Sequence, residues 1–181
     1  MTKLKTTAAV TIAVVSIIAA GCGGGKSNDK TAVARPSANP PLYRQTHYDV
    51  ETNWPQDASD RKVGHYLESV WHDPANLSSK LVIDSRASDG TAPPLAAAEL
   101  AQIQANQLPE YHERSFKKVT IGGHPAIHWA FDVAGEGYIE YFFAECGTSI
   151  FLHGSTSLVS YEPFARFYGI AASSVKILCE G

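Results

Sequence analysis

From residue 115 to residue 154 the chain reads as short apolar-rich runs separated by turn signals. In residues 126–133, Ile127, Trp129, Phe131 and Val133 fall on one face. Gly122-Gly123 precedes that run, Gly135-Glu136-Gly137 follows it, and residues 138–145 and 149–154 continue the pattern. A period of two with such short connections is the mark of antiparallel strands joined as hairpins, so the centre of the fold is expected to be a meander of four strands.

The flanking segments extend this reading. Tyr48, Val50 and Thr52 alternate with Asp49, Glu51 and Asn53, and residues 66–72 and 80–86 are further short runs in which Leu81 and Ile83 share a face. After Asp89-Gly90 and Pro93-Pro94 the chain is expected to form a helix over residues 94–108, since proline suits a first helical turn. Its inner stripe is expected at Ala96, Leu100 and Ile103. Ser160 can cap a second helix, in which Phe164, Phe167, Tyr168 and Ala171 follow the i, i+3, i+4, i+7 spacing of a helix lying on a sheet. Residues 175–178 then read as a closing strand. Strands in succession with helices inserted between them predict an α+β fold, a mainly antiparallel sheet flanked by two helices.

The N-terminus has a different character. Lys3 and Lys5 lead into residues 8–20, thirteen residues with only Thr11 and Ser16 as polar members. That run is short for a bilayer-spanning helix, which needs about 20 apolar residues, and fits the core of an export signal. It ends in Ala19-Ala20-Gly21-Cys22, which resembles the lipobox of bacterial lipoproteins, although that family prefers leucine where Ala19 stands. The resemblance implies that residues 1–21 are removed, that Cys22 carries the lipid, and that the mature chain is held on the cell membrane facing the extracytoplasmic side. The alternative is an ordinary secretory signal beside an incidental cysteine. Residues 22–41, rich in Gly, Ser, Asn, Ala and Pro, read as the lipidated cysteine and a tether, leaving residues 42–181 as the domain.

Three cysteines is an odd number for an exported chain. With Cys22 acylated, Cys146 and Cys179 remain as a pair that an oxidising compartment would allow to bond, closing a loop and stabilising the domain by roughly 2–4 kcal/mol. Two free thiols are the alternative. The formal charge is −3; without Lys3 and Lys5 the mature part carries 13 basic and 18 acidic residues. Such a chain lacks the basic field that draws in nucleic acid.

Candidate chemistry is sparse. His124 and His128 lie four apart on an expected strand, where about 3.3 Å per residue separates them too far to share an ion, so no metal site is expected. His153-Gly154-Ser155 lacks the Gly-x-Ser-x-Gly elbow of a serine hydrolase. Glu136, Glu140 and Glu145 read as a solvated hairpin face. No cofactor and no catalytic residue is assigned, and the chain is expected not to be an enzyme. The aromatic residues of the second half are either core on both sheet faces or, if one face is open, a binding surface.

The segments 48–54, Leu81-Val82-Ile83-Asp84-Ser85, Gly123-His124-Pro125-Ala126 with Trp129 and Phe131, Cys146-Gly147-Thr148 and the aromatic last helix together resemble the PsbP-like α/β/α sandwich, over residues 43–179. They also resemble small actinobacterial lipoproteins, the LpqN type among them, and extracytoplasmic domains of some bacterial serine/threonine kinases. The resemblance implies a sensing, scaffolding or ligand-binding domain; together with the anchor, the tether and the lack of a catalytic constellation it leads to the expectation of a non-enzymatic module that binds an envelope protein partner or supports an envelope complex. Its alternative is a carrier or sensor of a small apolar or lipid ligand held between sheet and helix, with Trp129, Phe131, Phe164 and Phe167 as lining residues.

Overall fold

The computed structural model describes residues 40–57, 61–87 and 94–179. The export segment, Cys22 and the tether up to residue 39 lie outside the described residues.

Seven strands form the main sheet: β3 (Arg61–Val63), β4 (Tyr66–Asp73), β5 (Asn76–Ala87), β6 (His112–Ile121), β7 (His124–Val133), β8 (Glu136–Glu145) and β9 (Thr148–Ser157). Their spatial order is β3-β4-β5-β9-β8-β7-β6, and every neighbouring pair is antiparallel. Helix α1 (Pro94–Ala105) joins β5 to β6, and α2 (Tyr161–Ser174) follows β9 after a single 3₁₀ turn, Leu158–Ser160. Strands β1 (Leu42–Arg44), β2 (Tyr48–Glu51) and β10 (Lys176–Ile177) make a separate small sheet in the order β1-β2-β10.

The expected meander is present as β6–β9. Two-residue hairpins connect it, with both turn residues at positive φ: Gly122 and Gly123 at 60° and 90°, Ala134 and Gly135 at 49° and 85°, Cys146 and Gly147 at 51° and 71°. Such turns match the right-handed twist of the strands they join. The second turn is therefore Ala134-Gly135, one position earlier than the sequence suggested. Gly137 belongs to β8, where a side chain would stand 2.3 Å from the ring of Tyr161.

Each face of the main sheet carries its own core. On one face Trp71, Leu81, Ile83, Ala126, Ala130, Ile139, Tyr141, Phe143, Ile150 and Leu152 meet α2 through Phe164, Phe167, Tyr168, Ala171 and Ala172, and the small sheet adds Tyr48, Val50 and Ile177. The stripe expected on the last helix is thus the one buried. On the opposite face Ile127, Trp129, Phe131, Val133 and Phe142 pack under α1 through Ala98 and Ala105.

Two expectations need correction. The inner stripe of α1 is not Ala96, Leu100 and Ile103: Ala96 is exposed, and Leu100 and Ile103 are 36% and 58% exposed. The helix instead turns Ala98 and Ala105 inward over Trp129 and Phe131, with Leu95, Ala97 and Ala101 packed beside them. Among the described residues five strands rather than three precede α1, because β1 and β3 are too short for alternation to register.

Candidate functional site

Cys146 occupies the β8–β9 turn and Cys179 follows β10; the two are joined by a disulfide with their Cα atoms 5.2 Å apart. Strand β10 is otherwise held on β2: Leu178 N–H donates to His47 O, and Lys176 and Ile177 pair with Asp49 and Tyr48. The bond therefore ties the chain's last segment to the hairpin end of the central meander.

The four aromatic residues expected to line a ligand cavity do not come together. Trp129 and Phe131 stack at 4.1 Å on the α1 face, with Phe131 on Tyr138 at 4.9 Å. Trp129 Nε1 donates to the hydroxyl of Tyr111 at 3.3 Å. Phe164 and Phe167 lie across the sheet on the α2 face, where Trp54 stacks on Phe167 at 4.1 Å and Phe164 stacks on Tyr168 at 5.5 Å. Both sets are core, as two helices covering two faces require. A hollow of about 220 Å³ does open on the α2 face near the sheet edge, lined by Lys117, Val119, Thr120, Ile121, His128 and Tyr141. It is smaller than the roughly 300–1,000 Å³ of ligand pockets and holds none of the four.

The histidines are dispersed. His124 pairs with Glu145, His72 with Asp57, and His128 Nδ1 meets Ser115 Oγ at 2.9 Å. Partial burial and then the nearby Lys117 push His128 below its ordinary pKa. Among the described residues no cluster of three metal-ligating side chains occurs.

One polar group was not foreseen. His153 on β9 lies between Asp84 on β5 and Glu140 on β8: Nε2 is 3.4 Å from Asp84 Oδ2, and Nδ1 is 3.4 Å from Glu140 Oε1. All three side chains are three-quarters or more shielded from solvent. Burial alone would lower the imidazole pKa, but the carboxylates of Glu140 and Asp84 on either side of the ring outweigh it and raise the value to about 10. The ring is thus a cation at neutral pH and unsuited to accept a proton from Ser155. Three strands each contribute one member, so only the register β5-β9-β8 brings them together.

In sequence, no family model and no curated protein matches this chain. In structure, it is similar to the cyanobacterial PsbP protein CyanoP from Synechocystis sp. PCC 6803, at a TM-score of 0.58 and 12% identity over 88% of this chain and 99% of that one. Weaker likenesses are to PA94 from Pseudomonas aeruginosa, a protein of unknown function (TM-score 0.48, 18% identity, 76% and 96% of the two chains). Another is to LpqN of Mycobacterium tuberculosis, described as involved in cell envelope biogenesis (TM-score 0.41, 10% identity, 78% and 79%). The described domain therefore has the PsbP-like fold, an antiparallel sheet with a helix on each face.

Proposed function

We propose that this chain is a bacterial lipoprotein, anchored to the cell membrane through an acylated Cys22 and facing the extracytoplasmic side, whose PsbP-like domain binds an envelope protein or supports an envelope complex without doing chemistry of its own. The observation that carries the reading is the order of the N-terminal sequence: Lys3 and Lys5, a thirteen-residue apolar run, and Ala19-Ala20-Gly21 directly before Cys22. The Cys146–Cys179 disulfide suits an oxidising compartment. The filled aromatic cores on both faces support a module that acts through its surface, since Trp129 and Phe131 are separated from Phe164 and Phe167 by the sheet itself. Acylation at one residue by two or more chains gives stable anchoring, where a single chain is marginal.

The test is membrane fractionation of cells producing the full chain or its Cys22→Ser variant. Wild type in the membrane fraction and the variant released from it is the expected result. A variant retained as firmly as wild type overturns the anchor.

A further inference from the structure

The end of the sheet at which α2 begins is built from three adjacent connections. The β4–β5 turn carries Pro74, Ala75, Asn76 and Leu77; the β7–β8 turn carries Ala134 and Gly135; the 3₁₀ turn carries Leu158 and Val159. They touch one another: Asn76 Nδ2 donates to Ser160 Oγ at 3.2 Å, and Leu158 N–H donates to Gly135 O at 3.2 Å. Val159 is 97% exposed, Leu77 77% and Leu158 39%, and Pro74, Ala75, Ala134 and Gly135 are exposed beside them. Val159 and Leu77 are the two most exposed large apolar side chains among the described residues, and both lie at this end, which calls for an explanation beyond ordinary surface composition.

We infer that this end of the domain, through Leu77, Leu158 and Val159, inserts shallowly into the lipid bilayer that holds the anchor. The inference rests on the lipoprotein reading. Three observations favour lipid over a protein as the occupant. First, polar groups of the β4–β5 turn are already satisfied locally, which lowers the cost of an apolar surrounding there. Ala75 N–H donates to Asp73 Oδ1, Ser78 donates its N–H and hydroxyl to Asn76 Oδ1, and Asn76 Nδ2 also donates to Ser79 Oγ. Second, positions 74–77, 134–135 and 158–160 contain no charged residue; the exposed neighbours Glu136 and Glu162 are acidic, and Arg114, over the ring of Tyr161, is paired with Asp132. The contact is therefore apolar and suits a zwitterionic surface, in contrast to a polybasic patch that reads anionic lipid. Third, 17 residues separate Cys22 from Pro40. Even fully extended they span no more than about 60 Å, against about 33 Å for one ten-residue strand of the sheet. A domain held that close to a bilayer meets it at high effective concentration. Three side chains on turn tips then suffice, although they fall well short of the ~800 Å² that each partner gives a stable protein interface.

The native tryptophans make the test clean, because Trp54, Trp71 and Trp129 are the only three in the chain and all are buried. Val159→Trp adds one reporter at the proposed contact, and His65→Trp adds one at the exposed β3–β4 turn, at the other end of β4. Each full chain is recovered from the membranes of an acylating host, its Cys22 acylation verified by mass, and placed in phosphatidylcholine vesicles whose acyl chains carry bromine. Insertion predicts a blue-shifted emission quenched by bromine for Val159→Trp, an unquenched emission for His65→Trp, and no gain in quenching when anionic lipid is added. An acylated, vesicle-bound Val159→Trp that is no more quenched than His65→Trp overturns the insertion and leaves the anchor standing. An unacylated Cys22 overturns the anchor and takes the insertion with it.

Discussion

The ring of Tyr168 on α2 fills the space that a side chain at position 154 of β9 would need: a Cβ on Gly154 would stand 2.6 Å from Tyr168 Cε2 and 2.9 Å from Phe164 Cζ. The helix can lie this close to the sheet because β9 presents a glycine beneath it. Gly154→Ala is expected to destabilise the domain by about 1–3 kcal/mol, the usual cost of overpacking a filled core. Gly169, within α2, has open space around its Cα. There Gly169→Ala is expected to stabilise by about 0.5–1 kcal/mol through helix propensity. Urea unfolding of the two variants should move in opposite directions from wild type.

His153 supplies a stability term with a defined pH window. Its pKa is raised to about 10 in the folded domain by Glu140 and Asp84, against the 6.5 of an ordinary histidine. The folded state therefore holds a proton that the unfolded chain loses first as pH rises. The contribution is complete below about pH 6.5, falls as pH increases, and is gone above about pH 10. The difference in unfolding free energy between wild type and His153→Gln should shrink across that interval. A difference that stays constant from pH 6 to 10 would mean the ring is not held as a cation.

The Cys146–Cys179 bond closes a loop with a sequence separation of 33. Chain-entropy arguments give roughly 2–4 kcal/mol for such a closure. The Cys146→Ser and Cys179→Ser variants should each lose about that much, and the double variant no more than either single one. Intact mass under non-reducing conditions should lie two hydrogens below the reduced chain.

Helix α1 offers a test of which face is inward. Ala98 is fully buried, whereas Ile103 is 58% exposed. Ala98→Gln should destabilise by about 1–3 kcal/mol, because it crowds the core and buries an amide. Ile103→Gln should stay within about 0.5 kcal/mol of wild type. A larger loss at Ile103 would show that its side chain is covered.

These comparisons also indicate what the sequence makes legible. The meander and the face of α2 could be read because Ile127, Trp129, Phe131 and Val133 alternate strictly, and because Phe164, Phe167, Tyr168 and Ala171 have only one helical face to share. Helix α1 could not be read that way. Pro94–Ala105 contains Glu99 as its single charged residue, so apolar side chains surround the axis and no stripe stands out. Its orientation shows only in the packing against Trp129 and Phe131, which is tertiary information. The same holds for His153: Asp84, Glu140 and His153 are 56 and 13 residues apart along the chain, and only strand register makes them neighbours. The four aromatics proposed as one lining set failed for a related reason. Alternation tells which residues of a strand share a face, but not which helix lies on that face.

The proposed lipid anchor can be read at the N-terminus of the mature protein. Mass spectrometry of the N-terminal peptide from membrane-recovered protein should show a chain beginning at Cys22 and carrying diacylglycerol on its sulfur. A mature N-terminus at any other residue, or an unmodified Cys22, would rule out lipid anchoring at Cys22.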